Sequence, residues 1–303
     1  MSYTTSTQPC ADLPHTAHPD TSGIAAVRAA LALVGGTLVA AVALGDPTRQ
    51  RSQFAGVLVD RVDQDGATAA LEGFLADGRS HQIVTVNTDF LRLAGQDPSY
   101  RAVLNQADLA VADGMPIVWL SRLRGEPLPE RVAGIELVEE SCRLAARDGV
   151  GVFLLGAAPG VAESAGQELM IRHPGLRIAG VLSPSFADWS AEEERRMVDA
   201  IRAAGRCILF VAFGAPRQDR FIAAHLAEIS APIAIGVGCA FDLIVGTKRR
   251  APAWMRRSGL EWSWRLAQEP RRLAKRYLLQ DAPLVLRLAA AAIRDARRTP
   301  EAM

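Results

Sequence analysis

From residue 54 onward, short apolar runs alternate with longer stretches in which apolar residues recur every three to four positions. The apolar runs fall at 55–59, 83–86, 109–112, 151–155, 176–181, 207–213 and 232–238. The amphipathic stretches fall at 67–75, 90–95, 135–146, 162–171, 192–203 and 221–229. Runs that are apolar throughout are typical of strands buried on both faces, and intervening helices make such strands parallel. The pattern therefore predicts an α/β fold, a Rossmann-like parallel sheet flanked by helices.

Polar residues and glycines that directly follow the apolar runs are the first candidates for a site. In a parallel α/β sheet the ligand lies beyond the carboxyl ends of the strands, where these residues meet. The candidates are Thr85 inside its run, Asn87, Asp113, the segments 156–160 and 214–218, Gly236, Gly238 and Asp242.

Two of these segments, 156–160 and 214–218, are small-residue turns that open into a helical pattern. Such a turn exposes backbone N–H groups at the positive end of a helix, where they can hold a phosphate, and two of them indicate a diphosphate. A tight turn that needs glycine for its backbone angles explains each equally well. Gly236 and Gly238 begin a GxGxxG pattern, but Phe241 occupies the third glycine position, so a dinucleotide fold is not predicted.

Three polar residues near these turns have a binding and a structural interpretation. Pro216 is expected in a first helical turn, and Arg217 and Gln218 follow it. This turn either holds the two side chains at the mouth of the site or is simply solvated. Asp242 can hydrogen-bond a ribose or a base, or cap a helix.

Asp113 ends the run 109–112 and precedes Gly114. A carboxyl at the end of a buried strand must be hydrogen-bonded, shifted in pKa or functional, and at the ligand edge of a sheet we favour function. A turn-forming Asp-Gly pair is the alternative. Asp63 and Asp65 form a DxD pattern like that of metal-dependent glycosyltransferases, but a helical pattern follows, and we interpret Asp65 as an N-cap.

The net charge of +1 conceals a strong asymmetry. Residues 248–303 carry a balance of +9, and residues 1–247 carry −8. Basic residues interleaved with Trp254, Trp262, Trp264 and Tyr277 predict docking of the tail on an anionic membrane surface, with a solvated helical face as the alternative. Nucleic acid is not predicted as a partner, because the rest of the chain is acidic and has no binding motif.

The cysteines and histidines indicate neither a zinc site nor a disulfide framework. The four cysteines have no CxxC spacing and the five histidines form no HxxxH pair, which fits a reducing, cytoplasmic setting. We expect three parts in the chain: an N-terminal extension at 1–52, partly disordered or an interfacial helix; a Rossmann-like catalytic domain at 53–247; and a basic helical C-terminal appendage at 248–303 for membrane docking and active-site completion. Residues 29–45 form a seventeen-residue uncharged segment that either spans a membrane or lies on it.

Taken in order, these motifs resemble those of the WecG/TagA/CpsF family of bacterial glycosyltransferases. The resemblance runs from about Phe54 to Gln280. The residues that carry it are Thr85-Val86-Asn87, Ala112-Asp113-Gly114, Arg131-Val132-Ala133-Gly134, Phe153-Leu154-Leu155-Gly156 with Pro159-Gly160, Phe213 to Gln218, Gly236-Val237-Gly238, Phe241-Asp242, Arg250-Ala251-Pro252, Gly259 to Trp262, Arg265-Leu266 and Glu269-Pro270.

The resemblance implies an inverting enzyme that needs no metal or other cofactor. Its donor would be a UDP-sugar and its acceptor a polyprenyl-diphosphate-linked sugar, in the synthesis of surface polysaccharide or a cell-wall glycopolymer. It would act in the cytoplasm, peripherally on the inner face of the membrane. It implies Asp113 as the base, with Thr85 and Asn87 near the sugar. Arg131 and an arginine of the tail would stabilise the leaving diphosphate in place of a metal. The expected substrate-binding residues are Arg131, Gly156, Gly160, Gly214, Pro216, Arg217, Gln218, Gly238, Asp242 and Arg250.

Two other functions remain open at this level. A non-catalytic nucleotide-binding subunit of a polysaccharide assembly complex would keep the glycine turns without needing Asp113. A nicotinamide-dependent oxidoreductase has only fold-level analogy in its favour. The sequence leaves the donor sugar and a homo-oligomer open. Asp219, Arg217 and Cys239 depart from the family pattern, which leaves sugar specificity open as well.

Overall fold

A computed structural model describes residues 49–184 and 189–298 of the protein. The predicted apolar segment 29–45 lies outside the described residues. The strands are β1 (Arg51–Phe54), β2 (Val57–Asp60), β3 (Gln82–Val86), β4 (Leu109–Ala112), β5 (Gly151–Gly156), β6 (Arg177–Leu182), β7 (Cys207–Ala212) and β8 (Ala234–Gly236). Six of them form one parallel sheet in the order β4-β3-β8-β7-β5-β6. The predicted α/β fold with a parallel sheet is therefore confirmed.

The first apolar run is the exception to this prediction. The pattern predicts a strand of the parallel sheet at residues 55–59, but β1 and β2 pair antiparallel in a separate hairpin. Ala55 and Gly56 form its turn with φ of 50° and 84°, which suits a two-residue hairpin loop. The buried Asp60 ties the hairpin to the sheet, because its Oδ2 accepts a 2.7 Å hydrogen bond from the Ala110 N–H.

Six of the helices follow the amphipathic stretches, and three were not predicted by the pattern. They are α1 (Gln64–Ala76), α2 (Thr88–Gln96), α3 (Pro98–Gln106), α4 (Met115–Leu123), α5 (Gly134–Asp148), α6 (Val161–Arg172), α7 (Ala191–Ala203), α8 (Arg217–His225) and α9 (Ala240–Ile244). The helices α3, α4 and α9 are the unpredicted ones. Asp63 caps α1 by accepting from the Gly66 N–H at 2.8 Å, so the cap is Asp63 and the predicted cap, Asp65, lies in the first turn.

Alternate side chains of the strands enter different cores, which is why the sequences of these strands are apolar throughout. In β3, Ile83 faces a core with α1, α5, α6 and α9, whereas Val84 and Val86 face one with α2, α3 and α4. A third core lies between α7, α8 and the other half of the sheet. The sheet is thus covered on both faces, and only its strand ends are left open to a ligand.

The tail, residues 248–298, is helical and packs back onto the domain. Its elements are α10 (Ala253–Arg257), α11 (Glu261–Gln268), α12 (Pro270–Ala274), a π-helix (Lys275–Asp281) and α13 (Ala282–Arg298). Gly259 allows the tail to approach α4 closely, because a Cβ there would lie 2.5 Å from the Trp119 ring, and its φ of +76° also favours glycine. Among the described helices, none combines the length and apolarity required to cross a membrane.

Candidate active site

Asp113 lies at the carboxyl end of β4, where the backbone fixes its position. The register pairs Val86 with Ala112, so the residues that follow β3 and β4 lie side by side. The Asp113 N–H donates to the Val86 carbonyl at 2.8 Å, and the Asp113 Oδ2 accepts a weak 3.4 Å hydrogen bond from the Gly134 N–H. The carboxyl is half-buried. It is therefore held by strand pairing on one side and by the start of α5 on the other.

Burial raises the pKa of the Asp113 carboxyl above its usual value. The guanidinium groups of Arg265 and Arg131 oppose this rise in pKa, and the carboxylate of Glu261 adds to it. A general base works best when its pKa lies near the working pH, so a raised pKa is the shift expected of a carboxyl that acts as one.

Two cavities meet at Asp113. The larger has a volume of about 510 Å³ and the smaller about 420 Å³, both within the range of roughly 300–1,000 Å³ that is typical of ligand pockets. Residues that line both cavities form their common wall: Asn87, Asp89, Asp113, Glu261, Arg265, Arg276 and Tyr277. The carboxyl of Asp113 can thus reach ligands in either cavity.

The larger cavity lies over the carboxyl ends of the strands and is rich in cations. Of the predicted site residues it contains Thr85, Asn87, Asp113, Gly214, Gln218, Gly238 and Asp242. The cations in its lining all come from the tail: Lys248, Arg249, Arg265, Arg272 and Arg276. A cavity with glycine turns on one side and several positive side chains on the other suits a diphosphate.

The Gly214 N–H, in one of the two predicted phosphate-binding turns, already has a side-chain acceptor, as does the Gly238 N–H in the turn after β8. Gln218 is only 2% exposed, and its Oε1 accepts from the Gly214 N–H at 3.1 Å and from the Gly238 N–H at 3.0 Å. Gly236 permits this arrangement, because a Cβ there would lie 2.4 Å from the Gln218 Nε2. Gln218 therefore joins the turns after β7 and β8, and its Oε1 is the acceptor of the Gly214 and Gly238 N–H groups.

The smaller cavity has a polar end and an apolar end. Its polar end is the common wall with Asp113, joined by Arg131, Arg256 and Asp281. Its apolar end is formed by Met115, Pro116 and Trp119 of α4, Trp262 of α11, Leu278 of the π-helix, and Ala282, Val285 and Leu286 of α13. Residues 285 and 286 each lie about one helical turn from residue 282, so the three side chains share one apolar face. An amphipathic ligand fits a cavity of this kind.

Arg131 belongs to an ion-pair network that connects the domain to the tail. Its Nη1 donates to the Glu261 Oε2 at 2.9 Å and its Nη2 to the Glu136 Oε1 at 3.4 Å. Arg265 also donates to Glu261, at 3.2 Å, and Arg250 pairs with Glu136. These bonds orient the positive charges next to Asp113.

Five predicted residues do not line either cavity. Gly156 and Gly160 flank the turn, which reaches the larger cavity through Ala157 and Ala158 instead. Pro216 precedes α8, Arg217 lies over the Trp189 ring with its Cζ 4.1 Å from the ring centroid, and Arg250 pairs with Glu136. The DxD residues, Asp63 and Asp65, are also outside both linings, as we expected from their position at a helix start.

Two predicted polar residues also have clear structural partners. The Thr85 Oγ1 donates to the Gly236 carbonyl at 3.3 Å, which joins β3 to β8. The Asn87 Oδ1 caps α2 by accepting from the N–H groups of Asp89 and Phe90. Both side chains nonetheless border the larger cavity.

The structure identifies which arginines of the tail line the cavities, whereas the sequence predicts only that one arginine of the tail takes part in the site. Arg265, Arg272 and Arg276 reach the larger cavity. Two acids that belong to no motif, Asp89 and Asp281, line the smaller cavity. The signals in the sequence are the charge reversal at residue 248 and the Arg265-Leu266 motif of the family resemblance.

Comparison with known proteins gives one family and several relatives. A family model described as "Glycosyl transferase WecG/TagA/CpsF family" matches residues 52–298. A Bacillus spizizenii protein is 34% identical over 199 residues, covering 66% of this chain and 76% of that protein. A Staphylococcus aureus protein is 30% identical over 233 residues, covering 75% and 90%. A Bacillus subtilis protein is 32% identical over 188 residues, covering 62% and 72%. All three are named N-acetylglucosaminyldiphosphoundecaprenol N-acetyl-beta-D-mannosaminyltransferase.

Proposed function

We propose a reaction for this chain from one premise: it belongs to the WecG/TagA/CpsF family and is a glycosyltransferase. The family resemblance inferred from the sequence is thus confirmed. We propose that the chain moves a hexose or N-acetylhexosamine-type sugar from a UDP-sugar to a polyprenyl-diphosphate-linked sugar, with inversion at the anomeric carbon. The observation that carries this proposal is the position of Asp113 between a cationic cavity and an amphipathic one.

In this proposal the larger cavity holds the donor and the smaller one the acceptor. The acceptor hydroxyl oxygen attacks the anomeric carbon while its proton passes to the Asp113 carboxylate. The bond from that carbon to the diphosphate oxygen breaks, and UDP leaves with the electron pair. A single displacement of this kind inverts the configuration. A positioned base contributes about 10²–10⁴ in rate.

The charge on the leaving diphosphate needs stabilisation, for which side chains are the better candidates because Gln218 already occupies two loop N–H groups. Arg265, Arg272 and Arg276 line the donor cavity, and Arg265 also lies next to the base. Guanidinium groups form charge-assisted, often bidentate hydrogen bonds with phosphate oxygens. We infer that these tail arginines take the role that a metal has in other glycosyltransferases.

The apolar end of the smaller cavity supports a lipid-linked acceptor and a membrane partner. Leu278 and Leu286 line this cavity and are 54% and 69% exposed, so its apolar end continues into an apolar surface. Leu279 and Trp254 are also exposed, at 70% and 64%. We propose that this surface docks on the inner, cytoplasmic face of an anionic membrane. Nearby Lys and Arg residues would contribute about 1 kcal/mol each.

Turnover with defined substrates tests the proposal. Purified protein is incubated with single UDP-sugars and a polyprenyl-diphosphate N-acetylglucosamine acceptor, with and without chelator, and UDP release is measured. Asp113→Asn is expected to lower kcat about 10²–10⁴-fold without changing the Kd for UDP. Asp199→Asn, an exposed carboxylate on α7, is the matched control. If the wild type transfers none of the sugars, or Asp113→Asn retains full activity, the reaction proposed here is wrong.

A further inference from the structure

A second buried carboxyl faces the smaller cavity, and the mechanism above does not use it. Asp281 is the last residue of the π-helix and is 7% exposed. It lines the smaller cavity, and its Oδ1 has no hydrogen-bond partner among the described residues. The nearest cations are too far for hydrogen bonds: the Arg92 Nε lies 3.6 Å from Oδ1 and the Arg276 Nε lies 3.9 Å from Oδ2. A buried polar atom without a partner is costly and calls for an explanation.

The cations near Asp281 make their hydrogen bonds to a different carboxylate. The Arg92 Nε donates to the Asp89 Oδ1 at 3.1 Å, and the Arg276 Nη1 lies 3.5 Å from the Asp89 Oδ2. Asp89 therefore pairs with both guanidinium groups, and Asp281 adds only longer-range attraction. If Asp281 served only to hold the π-helix against α2, the arginines should reach it at hydrogen-bond distance.

A donor that also lacks a hydrogen-bond partner lies near this acceptor. The Arg276 Nε is buried and has no hydrogen-bond partner among the described residues, as is true of the Asp281 Oδ1. Both residues line the smaller cavity. A ligand group that fits them must both donate and accept. Sugar hydroxyl and acetamido groups do both, whereas an isoprenoid chain does neither.

We propose that Asp281 and Arg276 bind one hydroxyl or acetamido substituent of the acceptor sugar and so select that sugar. Asp281 accepts a hydrogen bond from the substituent, and Arg276 donates one to it. This contact orients the sugar so that its attacking hydroxyl faces Asp113, which lines the same cavity. The inference rests on the proposed function, because it takes the smaller cavity as the acceptor site.

The test compares acceptor analogues that each lack one substituent of the sugar. The wild type, Asp281→Ala, Asp281→Asn and the control Asp199→Asn are assayed with a UDP-sugar that the wild type transfers. With the complete acceptor, Asp281→Ala is expected to raise the acceptor KM about 10- to 100-fold and to leave the Kd for UDP unchanged. With the analogue that lacks the contacted group, the wild type and Asp281→Ala should have equal KM. Asp281→Asn keeps an accepting oxygen and should recover part of the acceptor affinity.

The outcomes separate this inference from the proposed function. If the wild type is active but Asp281→Ala raises the KM equally for every analogue, or weakens UDP binding as much as acceptor binding, Asp281 is only structural and the inference is overturned. Equal KM on the complete acceptor overturns it as well. If the wild type is inactive with every sugar pair, the proposed function itself fails, and this inference fails with it. Asp281→Asn covers the case in which the alanine variant does not fold.

Discussion

Asp219 makes the stability of this protein depend strongly on pH. The residue lies on α8 and is fully buried. Its Oδ2 accepts a 2.7 Å hydrogen bond from the Tyr100 hydroxyl, and its Oδ1 has no hydrogen-bond partner among the described residues. Burial raises the pKa of the Asp219 carboxyl to about 7, although the hydrogen bond from Tyr100 and the neighbouring amide of Gln218 oppose the rise. The native protein therefore keeps this carboxyl protonated in mild acid.

The sign and size of the effect follow from the two pKa values. In the unfolded chain the Asp219 pKa is close to 3.8, so between about pH 4 and pH 7 the native state holds one more proton than the unfolded state. The free energy of unfolding then falls as the pH rises, by about 1.4 kcal/mol per pH unit from this group. Because the carboxyl is half ionised at pH 7, the loss from pH 5 to pH 7 is about 2 kcal/mol, a large share of a typical total of about 5–15 kcal/mol.

Asp219→Asn removes the titration and keeps the shape of the side chain. Urea unfolding is followed by tryptophan fluorescence at several pH values from 5 to 8 for both proteins. The variant should gain stability relative to the wild type by about 2 kcal/mol between pH 5 and pH 7, with little further change above pH 8. Asp199→Asn, which alters an exposed carboxylate, should show no such trend. A wild-type-minus-variant difference that stays constant from pH 5 to pH 8 would falsify this account of Asp219.

Three further changes test the site and the tail. Gln218→Ala leaves the Gly214 and Gly238 N–H groups without their acceptor. The free energy of unfolding, measured by urea unfolding, should therefore fall by about 2–4 kcal/mol. UDP binding, measured by calorimetry, should become weaker. Arg265→Met removes a positive charge that lowers the Asp113 pKa, so the acidic limb of the kcat/KM profile should move about one unit to higher pH. Leu279→Glu places a charge on the exposed apolar surface, so binding to phosphatidylglycerol vesicles should weaken about 10- to 100-fold while turnover of a short-chain acceptor is kept.

Two of these changes have a control substitution elsewhere in the protein, and the third has an outcome that would contradict its prediction. Gln167→Ala removes an exposed glutamine on α6 and should change neither stability nor UDP binding. Ile171→Glu alters an isoleucine that is 74% exposed on α6 and should leave vesicle binding intact. Loss of vesicle binding in both Leu279→Glu and Ile171→Glu would mean that charge in general is responsible and not the tail surface. An unchanged acidic limb in Arg265→Met would mean that Asp113 is not the group whose ionisation limits the rate.

The sequence alone determined the sheet and most of one side of the site. Runs such as 109–112 and 207–213 are apolar throughout because both faces of a parallel sheet are covered, so their pattern could be interpreted without knowing the neighbouring elements. The carboxyl ends of such strands share one edge, which is why the order of residues along the chain was enough to assign Thr85, Asn87 and Asp113 to one site.

Only the tertiary structure decided which elements and atoms complete that site. Periodicity reports that a residue is buried, but it does not identify the element that covers it. The run 55–59 therefore gave no sign that it pairs in a hairpin. The tail was expected to bring an arginine to the site, but its sequence did not show that Arg265, Arg276 and Asp281 are the residues that line the cavities. Gln218 joins two glycine turns, and the Asp281 Oδ1 has no hydrogen-bond partner among the described residues. Both features depend on side-chain orientations that are set by contacts distant along the chain. Such contacts leave no local pattern in a sequence.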